Sequence, residues 1–195
     1  MKNLLAGFLF LFFIGFFIYG VFSESGNNNL KKWAAMTINF NRNHVIEREA
    51  ALNNLDPDWL RATIFVESRG NSDAISPTGC RGITQINKRN AEYFGYSHKE
   101  MHDDEKALIV AARLTKEAEA FYHKSPAIKK GESLNSWLAR EYNKGRGVAR
   151  HNFLAGLAYS RNLNKVYKAI KDGVSEVALN GKIEKIDLAK INGEA

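Results

Sequence analysis

The sequence predicts an all-α domain carried behind a single N-terminal membrane segment. Three observations lead there. Leu4 to Phe22 runs without a charge, only three prolines interrupt 195 residues, and glycines fall mostly between stretches whose apolar residues recur at helical spacing. Hydrophobic residues at 45% and charged ones at 25% are globular values that exclude a collagen-like or wholly disordered chain. One cysteine, Cys80, excludes an internal disulfide framework and any all-cysteine metal site. A formal net charge of +7 favours an acidic partner.

The charge-free run opens the chain. At a rise of about 1.5 Å per residue it spans roughly 28 Å, close to a bilayer core. Lys2 precedes it and Glu24 comes after, a bias that places the N-terminus inside and the body outside the cytoplasm. The run exceeds a usual signal-peptide apolar region of about 7 to 15 residues, and Val21-Phe22-Ser23 is a poor cleavage tripeptide. Residues 1–23 therefore read as a signal anchor, or as a signal peptide if cleaved, at the inner membrane of a cell envelope. Residues 24–40 are a linker and lead-in that starts with the Ser/Gly/Asn-rich SESGNNN, residues 41–173 the folded domain, and residues 174–195 a C-terminal tail.

A first helix is expected over Ile46 to Asn54 on composition. The next is better marked: Asp56-Pro57-Asp58 supplies an N-cap, a first-turn proline and an acidic first turn, Leu60, Ile64 and Glu67 share a face, and Gly70 ends it. A long helix over about Asp104 to Tyr122 sets Leu108, Ala111, Ala112, Thr115 and Ala118 on one side. Ser133 caps another that turns Leu134, Trp137 and Leu138 inward, with Gly145 beyond its end. The last helix shows Leu163, Val166, Tyr167 and Ile170 before Gly173. Glu176 to Lys185 alternates around Asn180-Gly181, which reads as a small hairpin or a frayed helix.

Chemistry points first to Glu67. It comes directly after the apolar stretch Ala62 to Val66 at the C-terminal end of a helix, where burial and the negative end of the dipole both disfavour its ionised form. A carboxyl kept protonated near neutral pH is what a general acid requires. The residues on its C-terminal side form a specific pattern: Glu67-Ser68, then Ser76-Pro77-Thr78-Gly79-Cys80-Arg81-Gly82-Ile83-Thr84-Gln85, with nine residues from Glu67 to Ser76 and nine from Ser76 to Gln85. About 55 residues on comes Arg140-Glu141-Tyr142-Asn143-Lys144-Gly145.

These two blocks, in this order, resemble the motif blocks of the soluble lytic transglycosylase family, and the resemblance covers roughly Val45 to Lys171. It implies a lysozyme-like fold and a peptidoglycan lytic transglycosylase that cuts MurNAc-GlcNAc linkages to leave a 1,6-anhydro end. It also implies that Glu67 is the catalytic acid and base, that Ser76 and Gln85 line the cleft beside the sugars, and that Tyr142 and Asn143 close its other side. No cofactor or metal is called for. Specialised members accompany secretion, conjugation or pilus assemblies, which makes such an assembly a candidate partner beside the glycan strands. The chain departs from the family in four places. Glu105 to Leu114 does not match the helix common between the blocks, Thr84 stands where Met is usual, Cys80 where a small Ala is common, and Glu141 where a small residue precedes the Tyr-Asn pair.

Most glycosidases use two carboxylates, and the first block presents one. A site with a single carboxylate works when the substrate's own 2-acetamido oxygen stabilises the anomeric carbon. A cleft-facing Glu141 would instead add a second carboxylate and make the chain a hydrolytic muramidase. A third reading, from another class, is a non-catalytic wall-binding subunit of an envelope-spanning machine, against which the intact Glu67, Ser76 and Gln85 argue. His98 and His102, at i and i+4, lack the His-Glu-x-x-His order and a third ligand, and read as surface histidines. Trp59 and Trp137 sit in apolar helical patterns and read as core, and Cys80 as a small buried hydrophobe. The basic Lys129-Lys130 and Arg146 to His151 read as scattered surface charge, or else as a contact for an anionic polymer, which for an exported protein is cell wall rather than nucleic acid.

Overall fold

The structure, a computed structural model, describes residues 41–194. The expected membrane segment and linker lie outside the described residues. Among those described, no helix is long and apolar enough to cross a membrane.

Helices dominate. Helix α1 (Arg42–Asn53) starts four residues before the expected Ile46, because Asn41 caps it by accepting from the Asn43 N–H at 2.9 Å. Helix α2 (Pro57–Ser68) is capped by Asp56, which accepts from the Asp58 N–H, and its C-cap Arg69 is left-handed at φ 56°. Short α3 (Lys88–Tyr93) and a 3-10 helix (His98–His102) precede the long α4 (Asp104–His123). Then come α5 (Pro126–Gly131), α6 (Leu134–Lys144), α7 (Arg146–His151) and α8 (Leu157–Lys171). The chain closes with β1 (Glu176–Leu179), β2 (Lys182–Lys185) and α9 (Leu188–Asn192). The hairpin alternative therefore holds over the frayed helix. The strands pair antiparallel from Glu176 with Lys185 to Leu179 with Lys182, and Asn180 and Gly181 both take the positive φ that a two-residue turn of this hand needs.

Helix α2 lies at the centre, against α1, α4 and α8, and α6 packs between α4 and α8. The periodic residues form the core: Leu60, Ile64, Leu108, Ala112, Trp137, Leu163 and Val166 are all buried. Trp137 also donates its indole N–H to the Ala118 carbonyl at 3.0 Å, so its polar tip is satisfied inside. A smaller cluster of Ile86, Ala91, Met101, Val110 and Ala111 packs under the loop after α2. The cap residue Asp56 also ties α2 to α8, accepting from the Tyr167 hydroxyl at 2.8 Å and Lys171 Nζ at 2.9 Å.

The C-terminal stretch packs on the same body. Ile186 and Ile191 are buried, and Arg42, itself buried, donates to the Lys190 and Ile191 carbonyls while pairing with Asp104. Arg69 reaches from the end of α2 to Glu184 on β2 at 2.7 Å. These bonds tie the end of α2 and the start of α1 to the C-terminal stretch.

Candidate active site

Glu67 is the penultimate residue of α2, half-buried, one turn from the fully buried Ile64. Burial pushes its carboxyl from the ordinary 4.5 up to about 7, and a hydrogen bond from Tyr159 pulls the other way. The Tyr159 hydroxyl donates to Glu67 Oε1 at 2.6 Å, a charge-assisted length. No charged neighbour among the described residues contributes to the shift. Glu67 is thus a solitary carboxyl balanced between its two forms at neutral pH.

Ser68 does the structural half of the Glu-Ser pair. Its hydroxyl donates to the Ile83 carbonyl at 2.8 Å and accepts from the Gly70 N–H at 3.2 Å, stitching the helix end to the next loop. That loop folds on itself through backbone bridges of Arg81 with both Ile75 and Ile86. Gly82, at φ +78°, explains its place in the motif: a Cβ there would stand 1.7 Å from the Met101 carbonyl oxygen. Two histidines clamp the loop's ends. His98 Nε2 lies 3.1 Å from the Ile86 carbonyl and His102 Nδ1 3.0 Å from the Ser72 carbonyl, so both half-buried rings hold backbone rather than standing free on the surface.

Ser76 and Gln85 sit in this loop. Ser76 Oγ accepts from the Cys80 N–H at 3.0 Å and exchanges a bond with the Thr78 hydroxyl, also 3.0 Å. Gln85, left-handed at φ 51°, donates its amide to the Ala74 and Gly82 carbonyls at 3.0 and 2.9 Å, which leaves its oxygen as the end able to face a ligand. Thr84 is fully buried, with its hydroxyl satisfied by the Ala107 carbonyl at 3.2 Å. Cys80 is half-buried, more open than a core residue.

Tyr142, near the end of α6, donates to the Thr84 carbonyl at 2.8 Å and so joins the second motif block to the first. Burial and the nearby Glu67 hold its hydroxyl well above the usual tyrosine range, and the same two causes act on Tyr159. Both remain protonated donors on either side of physiological pH. Asn143 is exposed and, with Tyr142, lines a cleft of about 640 Å³ to which Glu67, Ser76 and Gln85 do not contribute. Glu141 lines that cleft as well, with Oε1 bonded to Arg146 Nε at 2.8 Å. Burial raises its pKa first, with the Arg146 charge opposing.

The residue pattern missed Tyr159 as a site residue. Its signal was present: Tyr159 shares the helical stripe of Leu163, Val166 and Ile170, and a tyrosine turned inward needs a partner for its hydroxyl. The family profile described as Transglycosylase SLT domain matches residues 44–172. The chain belongs to the SLT transglycosylase family. Glu67, the loop carrying Ser76 and Gln85, the Tyr142-Asn143 pair and Tyr159 all fall inside the matched span of this lysozyme-like family. No curated protein matches the chain significantly. At the level of the family, membership supports a glycan-cleaving function of the lytic transglycosylase type, with peptidoglycan as the polymer.

Proposed function

We propose that this SLT transglycosylase domain cuts the β-1,4 bond between MurNAc and GlcNAc without consuming water, leaving a 1,6-anhydromuramic end. The solitary, half-buried Glu67 with a pKa near 7 carries the reading. Its protonated form gives a proton to the glycosidic oxygen as the C1–O4 bond breaks, and the substrate's 2-acetamido oxygen stabilises the anomeric carbon. The resulting carboxylate, steadied by Tyr159, then takes the proton of the muramic 6-hydroxyl as O6 bonds to C1. One proton passes from O6 to O4 through one carboxyl, so the residue ends as it began. Glu141 is bound to Arg146, which favours this single-carboxylate route over a hydrolytic pair.

In this reading Gln85 and Ser76 present the loop's polar edge to the sugars, and Asn143 meets them from the other wall. The run Leu4 to Phe22 supports an anchored enzyme acting on the extracytoplasmic side, where the wall lies. A partner assembly for secretion, conjugation or pilus growth would give a single tethered domain a local hole to open. The test is mass spectrometry of fragments released from purified sacculi by the full chain in detergent, beside Glu67→Gln. Anhydro-ended muropeptides from the wild type alone are expected. Fragments with reducing ends, or equal release by both proteins, refute the assignment.

A further inference from the structure

The cleft lined by Tyr142 and Asn143 is formed without Glu67, Ser76, Gln85 or Tyr159. It is walled by the end of α6, the start of α7, the short α3 and residues 114–118 of α4, and it is lined by Arg89, Lys144 and Arg146 together with Glu117 and Glu141. The two acids are already engaged. Glu141, nine-tenths buried, holds Arg146 Nε at 2.8 Å, and Glu117 accepts from the Tyr93 hydroxyl at 3.2 Å while lying 3.9 Å from Arg146. Arg146 is further seated over the Phe121 ring at 4.9 Å. The second oxygen of Glu141 is buried without a hydrogen-bond partner among the described residues, while its first oxygen fixes the Arg146 guanidinium. Arg89 and Lys144 are exposed and form no ion pair among the described residues.

The result is a cleft with one aimed cation and two free ones, and with its own acids spent. Such a site selects an anion that can spread over several donors. Asn90 and Tyr93 add amide and phenol groups suited to a peptide backbone. Tyr142 lines the cleft and is near enough to Glu67 to feel its charge, so the cleft neighbours the Glu67 carboxyl. We propose that this cleft binds the carboxylates of the stem peptides carried by peptidoglycan, with Arg146, Arg89 and Lys144 as the cations that meet them. The proposal rests on the peptidoglycan reading above and deepens it: the enzyme reads the peptide as well as the sugar. Glu141 is then a positioning residue, standing where the resembled family carries a small one, and its partner is Arg146 rather than the scissile bond.

The test is a binding titration of the full chain in detergent, in the Glu67→Gln background so that nothing is cut. The probes are solubilised glycan strands with native stem peptides and the same strands with their peptide carboxyls capped as methylamides. Native strands are expected to bind about ten-fold tighter, with a steeper loss as salt rises. Adding Arg89→Gln with Lys144→Gln, two exposed positions that leave folding untouched, should bring native strands down to the affinity of capped ones without changing the latter. Glu141→Gln, which keeps the shape and removes the charge that aims Arg146, should lower native-strand affinity alone. Equal binding of native and capped strands by the Glu67→Gln protein overturns the proposal, and so does a uniform weakening of both strands by the cleft variants. Failure of the catalytic reading has a separate signature: the wild type releases no anhydro ends, while the native-versus-capped difference persists.

Discussion

Glu67→Gln should not only silence the enzyme but stabilise it, and by an amount that depends on pH. A carboxyl whose pKa is 4.5 when unfolded and about 7 when folded binds its proton more tightly in the native state. Below pH 4.5 it costs nothing. As pH rises through that value the unfolded chain ionises while the folded one does not, and stability falls until pH passes about 7, by roughly 3 kcal/mol in all. Glutamine removes the titration, and its amide oxygen can still accept from Tyr159. The variant's stability advantage should therefore grow by about 2–3 kcal/mol between pH 5 and pH 8.5. In a domain of this size that is a difference in Tm of roughly 5–10 °C. Urea unfolding followed by tryptophan fluorescence, which reports the buried Trp59 and Trp137, measures it at both pH values. Parallel stability curves for the two proteins would show that Glu67 is not held against its ionised form, and its claim to be the general acid would fall with that.

Removing the Tyr159 hydroxyl as Tyr159→Phe takes away the group that favours ionised Glu67, so its pKa should rise further. The basic limb of the pH–rate profile on sacculi should move upward to match, and an unmoved limb would mean the bond has no such role. Gly82→Ala forces a Cβ to within 1.7 Å of the Met101 carbonyl at a positive φ, and should cost more than about 4 kcal/mol, read as a collapse of Tm. Arg140→Met breaks a fully buried pair with Glu132 at 2.5 Å and releases the Ala149, Asn152 and Ala155 carbonyls, and should lose about 3–5 kcal/mol in urea titration.

The helices were legible because their burial is one-sided. Leu108, Ala111, Ala112, Thr115 and Ala118 announce their face by spacing alone, and Asp56-Pro57 and Ser133 mark starts through orphan N–H groups that any helix must satisfy. The short helices α3, α5, α7 and α9 were not, since five or six residues make too few turns for a period to register and their stability comes from what they dock against. Of the site, the motif gave Glu67 and the loop, but not the division of labour within it. That Gln85 spends its amide on Ala74 and Gly82, or that His98 and His102 hold backbone carbonyls, depends on loop geometry that residue spacing does not encode.

The motif's economy lies in how it supports an unfavourable carboxyl. Glu67 is held near an apolar core with a single hydrogen bond, and the helix end that carries it would relax into water if it could. Three sets of bonds prevent that: Arg69 folds back on the Val66 carbonyl and out to Glu184, Ser68 bonds the Ile83 carbonyl, and Arg42 gathers the Gly70, Lys190 and Ile191 carbonyls. The C-terminal hairpin and α9 supply half of those partners. They therefore help fix the helix end that carries Glu67. Arg69→Ala, which keeps every residue around Glu67 but frees the helix end from the hairpin, should let water reach the carboxyl and lower its pKa toward 4.5. The basic limb of the pH–rate profile should then shift to lower pH while KM for sacculi holds. If the limb stays near 7 in a folded Arg69→Ala protein, the burial of Glu67 is set by α2 and α8 alone and the hairpin is only a lid on the core.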